Sequence, residues 1–182
     1  PPTSYPPPPA PPRPGWRDWI DPFMREASHK NWRVFYLGSK PGVSDKGADI
    51  LRRRYPDLTI GTMHGYFKTG AESPDNLQVL NMISEFRADI LIVGMGMPRQ
   101  ESWILRNYDA ISAPVILTSG ACMDYVAGEI AIPPRWLGPI GLEWLYRLLS
   151  EPKRLWRRYL IEPWYACGLF LRDLSAKYLR KS

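Results

Sequence analysis

Short apolar segments alternate with amphipathic ones along the chain from residue 19 onward. Residues 33–37 (RVFYL) and 89–93 (DILIV) are short and largely apolar, a pattern typical of buried strands. Trp19, Phe23 and Ala27 recur at helical spacing, which predicts a helix ahead of the first strand. In chain order, the pattern predicts a helix from residue 19, a strand at 33–37, a helix to about 54, a strand at 58–63, a helix at 74–86, a strand at 89–93, a helix from about 99 and a strand at 114–118.

This alternation of four strands with helices predicts an α/β fold with a mostly parallel sheet and helices on both faces. In such sheets, ligands bind in the crevice beyond the carboxyl ends of the strands. Four segments follow the predicted strands, so function is sought there: residues 38–42, 64–67, 94–101 and 119–124.

The two ends of the chain depart from this pattern. The first residues are dominated by proline, which favours extended polyproline II, so we predict a disordered leader at residues 1–18. Residues 19–132 are predicted to form the α/β domain. Residues 133–182 are predicted to form a helical appendage, because residues 141–150 (GLEWLYRLLS) are amphipathic.

Positive charge is concentrated in the predicted appendage. The net charge is +6; residues 133–182 carry 10 Lys or Arg against 4 Asp or Glu, whereas residues 1–132 carry 14 of each. A localised basic segment implies an anionic partner, and the charge alone leaves open a phosphate ligand, an acidic bilayer or nucleic acid. The eight Trp and ten Tyr suit either a stacking surface or a membrane interface.

Several functional classes lack their sequence signals. Cys122 and Cys167 have no metal-ligand spacing and do not suggest a disulfide framework. There is neither a long apolar run nor a signal-peptide pattern, so we predict no transmembrane helix and no export. A Ser/His/Asp triad and a nucleic-acid reader motif are also missing. We therefore predict no metal, no cofactor and no nucleic-acid partner.

The first candidate ligand loop lies between a predicted strand and a predicted helix. It contains Gly38, Ser39, Lys40 and Pro41, and its backbone N–H groups can receive a phosphate or a sugar hydroxyl. A plain strand-to-helix turn fits the same residues, so both interpretations stay open.

The second candidate loop spans residues 94–101 (GMGMPRQE). Gly94 and Gly96 allow close backbone approach, while Arg99, Gln100 and Glu101 offer donors and acceptors suited to a base, a ribose or a sugar. The alternative is that the charged residues are solvated side chains in the first turn of a helix.

Two further polar residues follow strand ends. Asp124 can bind a ligand hydroxyl, or it can serve as an ordinary acidic residue near a helix N-terminus. His64 is a candidate substrate contact, with a polar turn residue as the alternative.

A cluster of arginines marks the appendage. Arg147, Arg154 and Arg158 would share one face of a continuous helix, with Arg157 alongside. Guanidinium groups on one face suit a diphosphate, which they bind through paired hydrogen bonds. Attraction of a basic face to anionic lipid explains the same pattern, and the two roles do not exclude each other.

Together these segments resemble the WecG/TagA/CpsF glycosyltransferases. The combination of PRQE with GLEWLYRL and EPKRLWRRY is highly specific, and the similarity covers about residues 19–175. The matching stretches are residues 36–43 (YLGSKPGV), 51–56 (LRRRYP), 65–67 (GYF), 93–101 (VGMGMPRQE), 124–128 (DYVAG) and 133–159.

The resemblance implies a Rossmann-like enzyme that transfers a sugar from a UDP-sugar to a polyprenyl-diphosphate-linked sugar, with inversion and without a bound metal. Such enzymes serve wall teichoic acid, enterobacterial common antigen, capsule and exopolysaccharide synthesis. The resemblance places the protein in the cytoplasm, held at the inner membrane face by its C-terminal appendage, and leaves self-association open. It does not identify the donor sugar: N-acetylmannosamine, its uronic acid and glucose are all used in the family.

The resemblance also implies roles for particular residues. In this family, appendage arginines spaced seven and then three residues apart assist the diphosphate, and Arg147, Arg154 and Arg157 have that spacing. Gln100 and the loops around Gly38 and Asp124 match regions that line the nucleotide-sugar pocket.

The resemblance also exposes a departure from the family. The family's first βα units and its proposed general base, an Asp, precede the segment that matches here, so we expect this chain alone to bind donor better than it turns it over. The alternative is a non-catalytic module that binds nucleotide or lipid at a membrane surface.

Overall fold

The computed structural model describes residues 16–150 together with residues 152, 155, 156, 161, 164 and 172. Most of the predicted leader and most of the chain beyond residue 150 lie outside the described residues. The description therefore covers all four predicted strands and the loops that follow them.

Six helices and four strands occupy the described residues, with short 3-10 turns at Tyr108–Ala110 and Arg135–Leu137. All four predicted strands are confirmed, each within one residue of its predicted limits. The elements are α1 Trp16–His29, β1 Arg33–Gly38, α2 Val43–Arg54, β2 Thr59–Met63, α3 Pro74–Phe86, β3 Ile90–Gly94, α4 Arg99–Asn107, β4 Val115–Thr118, α5 Cys122–Val126 and α6 Glu143–Ser150.

Local chemistry explains the sharp limits of α3. Ser73 is the N-cap, and its hydroxyl accepts a hydrogen bond from the Asn76 N–H at 3.2 Å. Pro74 occupies the first helical position, where its missing N–H costs nothing. Arg87 ends the helix in the left-handed conformation, and its N–H bonds to the carbonyls of the last turn.

The four strands form one parallel sheet in the order β2-β1-β3-β4. The two central strands are the most completely buried, as expected for a parallel sheet that is covered on both faces. The prediction of an α/β, Rossmann-like fold with a parallel sheet and helices is therefore confirmed.

Two hydrophobic cores cover the two faces of the sheet. The first core includes Met24 of α1, Leu51 of α2 and Met123 of α5. The second core includes Ile83 of α3 and Trp103 of α4. The prediction that helices cover both faces is confirmed.

The connections reverse direction around β1. The chain passes from β1 through α2 to β2 on one side, and then through α3 to β3 on the other side. The loop after β1 leads into α2 and the loop after β3 leads into α4; because these helices lie on opposite faces, the two loops diverge at this point. This is the topological switch point at which doubly wound sheets bind ligands.

The chain divides into two compact units between Glu129 and Ile130. The sheet and its helices belong to the first unit and α6 to the second; the boundary near residue 133 remains a prediction. The second unit exposes several large apolar side chains, among them Trp136, Ile140 and Leu149. Within the described part of the chain, no helix is both long enough and apolar enough to cross a membrane.

An ion pair joins α1 to the end of α2. The Asp21 carboxylate accepts hydrogen bonds from the Arg54 guanidinium and, at 2.8 Å, from the Tyr55 hydroxyl. Burial alone would raise the pKa of Asp21, but the hydrogen bonds from Tyr55 and Arg54 outweigh it and lower that pKa below its usual value of 3.8. A depressed folded-state pKa contributes stability above the unfolded-state value, and this contribution is lost as the pH falls through the folded-state value.

We therefore expect Asp21→Asn to lower the free energy of unfolding at pH 7 by less than about 1 kcal/mol, since the pair is half exposed. The difference from wild type should shrink as the pH falls below about 4. Urea denaturation followed from pH 7 to pH 3 measures this, with the exposed Asp57→Asn as a charge-matched control. A destabilisation that stays constant over this range would contradict the assignment.

Candidate functional site

The carboxyl ends of β1 and β3 are in direct backbone contact. Gly38 and Gly94 are register partners in the parallel pair, and a Cβ atom at Gly38 would overlap the Gly94 backbone. A Cβ atom at Gly65, in the loop after β2, would lie 2.9 Å from the Met95 side chain. Because such approach requires glycine, these positions bring the loops after β1, β2 and β3 together at the switch point.

The loop after β1 has a buried and an exposed part. Ser39 is buried with a φ of 59°, and its N–H donates to the Gly94 carbonyl at 3.3 Å. Lys40 and Pro41 are exposed. The loop thus presents Lys40 and Pro41 at the rim, with Ser39 held beneath them.

A chain of hydrogen bonds connects β1 to α5. The Ser39 hydroxyl donates to Asp124 Oδ2 at 2.9 Å and lies 3.0 Å from the Tyr36 hydroxyl. Burial raises the pKa of the Tyr36 phenol well above its usual range, so the phenol stays protonated. Since the single Ser39 proton goes to the carboxylate, Tyr36 must donate to Ser39. Asp124 is thereby held as an acceptor beside the ends of β1 and β3.

Cys122 lies in the first core. Its side chain is buried, and burial together with the nearby Asp124 charge raises the pKa of the thiol to about 12. A thiol with this pKa is almost entirely protonated at neutral pH and is a poor nucleophile.

Gln100 connects the loop after β3 to the loop after β4. Its buried side-chain oxygen accepts hydrogen bonds from the Gly96 N–H at 3.1 Å and from the Gly120 N–H at 3.3 Å. Its Nε2 group donates to Glu101 Oε1 at 2.8 Å. Gln100 was predicted to contact the ligand, but its amide oxygen already accepts hydrogen bonds from the protein's own backbone.

The loop after β2 is held by Arg99 and by its own histidine. The Arg99 guanidinium is exposed and donates to the Phe67 carbonyl at 2.9 Å. His64 is half-buried, and its Nδ1 accepts a hydrogen bond from the Tyr66 N–H at 3.3 Å. Because Nδ1 accepts, the neutral ring carries its proton on Nε2, which makes Nε2 a donor.

Three buried side-chain oxygens in the described part of the chain make no hydrogen bond: Ser44 Oγ, Glu101 Oε2 and Ser119 Oγ. Ser44 lies in the first turn of α2, Glu101 in the first turn of α4, and Ser119 directly after β4. All three therefore lie at the carboxyl end of the sheet. A buried polar atom without a partner is rare in proteins and marks a place where a ligand or an ordered water supplies the missing bond.

Of the arginines predicted to bind the diphosphate, Arg147 lies within the described residues. Arg147 is exposed on α6 and lines an open pocket of about 310 Å³ with Gly138, Gly141, Glu143 and Trp144. Arg154 and Arg157, like Arg158, lie outside the described residues. Within the described ranges, no three His, Cys, Asp or Glu side chains cluster as a metal site would require.

Sequence reasoning missed Tyr36 and Ser44 as site residues. Tyr36 looks like any inward aromatic of a buried strand, and Ser44 like any polar residue in a first helical turn. Ser119 carried a weak signal, since it directly follows a predicted strand.

A parallel sheet with a switch point between β1 and β3 defines an α/β protein of the doubly wound class. The sequence matches the glycosyl transferase WecG/TagA/CpsF family over residues 8–180. The chain belongs to this family, which confirms the resemblance drawn from its motifs.

Curated relatives carry the name N-acetylglucosaminyldiphosphoundecaprenol N-acetyl-beta-D-mannosaminyltransferase. Those from Staphylococcus aureus strains MRSA252, MW2 and NCTC 8325 are each 30% identical over 138 residues. The match covers 76% of this chain and 52% of each relative, so the chain spans about half the length of the curated relatives it matches.

Proposed function

We propose that this chain binds a UDP-sugar at the carboxyl end of its sheet and serves in sugar transfer to a polyprenyl-diphosphate-linked sugar. The observation that carries the proposal is that three buried side-chain oxygens without partners, those of Ser44, Glu101 and Ser119, all lie at the carboxyl end of the sheet. Family membership supports sugar transfer, and the name of the relatives supports an N-acetylmannosaminyl group and a lipid-linked acceptor. The transferred sugar is of the N-acetylmannosamine type or a hexose, and the product belongs to a cell-surface polymer.

The residues at the crevice have complementary chemistry for such a donor. Asp124 and Glu101 are acceptors for ligand N–H or O–H groups, and the Nε2 group of His64 is a donor. Gly96 and Gly120 have open space where a Cβ atom would stand, so a ligand can come close to their backbone. We assign no general base among the residues of this chain.

The arginines of the second unit supply the positive charge in this proposal. Departure of UDP builds negative charge on the diphosphate, and we assign its stabilisation without a metal ion to the guanidinium groups of Arg147, Arg154 and Arg157. The reaction proceeds with inversion. Trp136 and Ile140 are exposed in the same unit and suit contact with the inner face of the plasma membrane.

Isothermal titration with UDP tests donor binding. We expect wild type to bind UDP and Arg147→Ala to bind it about tenfold more weakly, since hydrogen bonds to charged groups contribute about 1.5 to 3 kcal/mol. Arg53→Ala removes an exposed arginine from the last turn of α2 and should bind as wild type does. Equal loss in both variants would mean a general charge effect, and unchanged affinity for Arg147→Ala would remove Arg147 from the diphosphate site.

Incubation with a UDP-sugar and a polyprenyl-diphosphate-linked acceptor tests transfer. A disaccharide-lipid product supports the enzyme, whereas UDP binding without product favours the second candidate, a non-catalytic module that binds nucleotide at a membrane. The exposed tryptophans of the second unit are the observation behind this candidate.

A further inference from the structure

We propose that Glu101 Oε2 is the acceptor that selects the nucleoside, by receiving the imide N–H of the base or a ribose hydroxyl of the bound nucleotide. The proposal rests on UDP binding at the carboxyl end of the sheet. It assigns different tasks to two adjacent residues: Gln100 holds the loops, and Glu101 binds the ligand.

The orientation of the Gln100 amide is fixed by groups that can only donate. The N–H groups of Gly96 and Gly120 both point at the Gln100 side-chain oxygen. A flipped amide would place its NH₂ group against these two donors and lose both bonds. The Nε2 group must therefore face Glu101, where it donates to Oε1 at 2.8 Å.

This bond in turn fixes the Glu101 carboxylate. With Oε1 occupied, Oε2 is the oxygen left over, and it is buried without a donor. Glu101 lies in the first turn of α4, where the helix N-terminus carries a partial positive charge. The side chain as a whole is only half-buried, although Oε2 itself is buried.

Among the three unpartnered oxygens, Oε2 of Glu101 is the most informative about the ligand. Ser44 and Ser119 are hydroxyls, which can donate or accept and so fit almost any polar group. An ionised carboxylate oxygen only accepts, so its partner must carry an N–H or O–H. In UDP the groups of that kind are the imide N3–H of uracil and the 2′- and 3′-hydroxyls of the ribose.

Glu101→Gln tests the proposal without changing the size of the side chain. Because the Gln100 Nε2 group still needs an oxygen opposite it, the new amide must turn its own NH₂ group to the position of Oε2. The ligand donor then meets a donor instead of an acceptor. We expect UDP affinity to fall about 10- to 100-fold.

Although UDP affinity should fall, the thermal stability of the protein without ligand should not. The substitution removes a buried carboxylate oxygen that has no donor, so the thermal midpoint without ligand should rise or stay the same. A purely structural role for Glu101 predicts a lower midpoint with unchanged UDP affinity. Glu85→Gln, an exposed change of the same charge near the end of α3, is the matched control and should alter neither quantity.

Analogues of UDP identify the donor. N3-methyl-UDP, 2′-deoxy-UDP and 3′-deoxy-UDP are each titrated into wild type and Glu101→Gln. The analogue that lacks the relevant donor should bind wild type weakly but lose no further affinity in the variant. If every analogue loses affinity equally in both proteins, Glu101 does not contact the nucleoside and the proposal is overturned.

UDP binding to wild type tests the proposed function, and UDP binding to Glu101→Gln tests the role of Glu101. If wild type binds UDP and Glu101→Gln binds it equally well, the inference is wrong and the proposed function stands. If wild type does not bind UDP at all, the proposed function is wrong and the inference falls with it.

Discussion

Gly94→Ala is expected to lower the free energy of unfolding by about 3 kcal/mol, because the site has no room for a methyl group. A Cβ atom there would overlap the Tyr36 hydroxyl and lie 2.6 Å from the Gly120 carbonyl oxygen. Tyr36 is buried in a central strand, and the Gly120 loop is bonded to Gln100, so neither neighbour can withdraw freely. Chemical denaturation of the purified variant measures the change.

Two further variants test whether the loss of stability in Gly94→Ala comes from the missing space. Gly70→Ala is the control, since a Cβ atom there meets only the Ser73 side chain, at 4.0 Å, and stability should change little. Tyr36→Phe combined with Gly94→Ala removes the hydroxyl but not the Gly120 oxygen, so it should restore only part of the loss. If Gly94→Ala were as stable as wild type, the close packing of β1, β3 and the loop after β4 would be refuted.

Trp103→Ala should be the most destabilising single truncation, lowering the free energy of unfolding by about 3 to 5 kcal/mol. Trp103 is fully buried in the second core and packs edge-to-face against Phe67, with ring centroids 6.3 Å apart. Its indole N–H donates to Asn76 Oδ1 at 2.7 Å, and Asn76 bonds in turn to Asn107 at 2.8 Å. The truncation leaves both a cavity and a buried amide oxygen without its donor.

Trp103→Phe separates these two losses. It retains most of the ring but removes the donor, so it should cost about 1 to 3 kcal/mol, the usual penalty for a buried acceptor left unpaired. Tyr108→Ala removes a largely exposed ring next to α4 and is the control. If Trp103→Phe were as stable as wild type, the Asn76 hydrogen bond would have no net contribution.

The fold could be predicted from the sequence because its signals are local. Residues 33–37 and 89–93 are buried apolar runs between turn residues, and both became central strands. Pro74 marked the start of α3 because its constraint acts on its own backbone. By contrast, the strand order β2-β1-β3-β4 results from contacts between distant segments, and no single segment specifies it.

The site could be predicted only in part, for the same reason. The positions of the loop glycines and Asp124 after strands were predicted because strand ends can be located from the pattern. The engagement of the Gln100 oxygen by Gly96 and Gly120 could not be predicted, since it depends on where a second loop passes. The unpartnered state of Glu101 Oε2 likewise requires coordinates, because sequence reveals which groups are polar but not which of them are already satisfied.

The separation of the two cores has a consequence for how this family can diversify. Ser39 and Asp124 approach the crevice from the face packed by α2 and α5, whereas Gln100 and Glu101 approach from the face packed by α4. Repacking one core can therefore move half of the crevice while the other half keeps its position. Substrate range can then change on one side of the sheet while the opposite side keeps its geometry, because Gln100 holds the loops after β3 and β4 together.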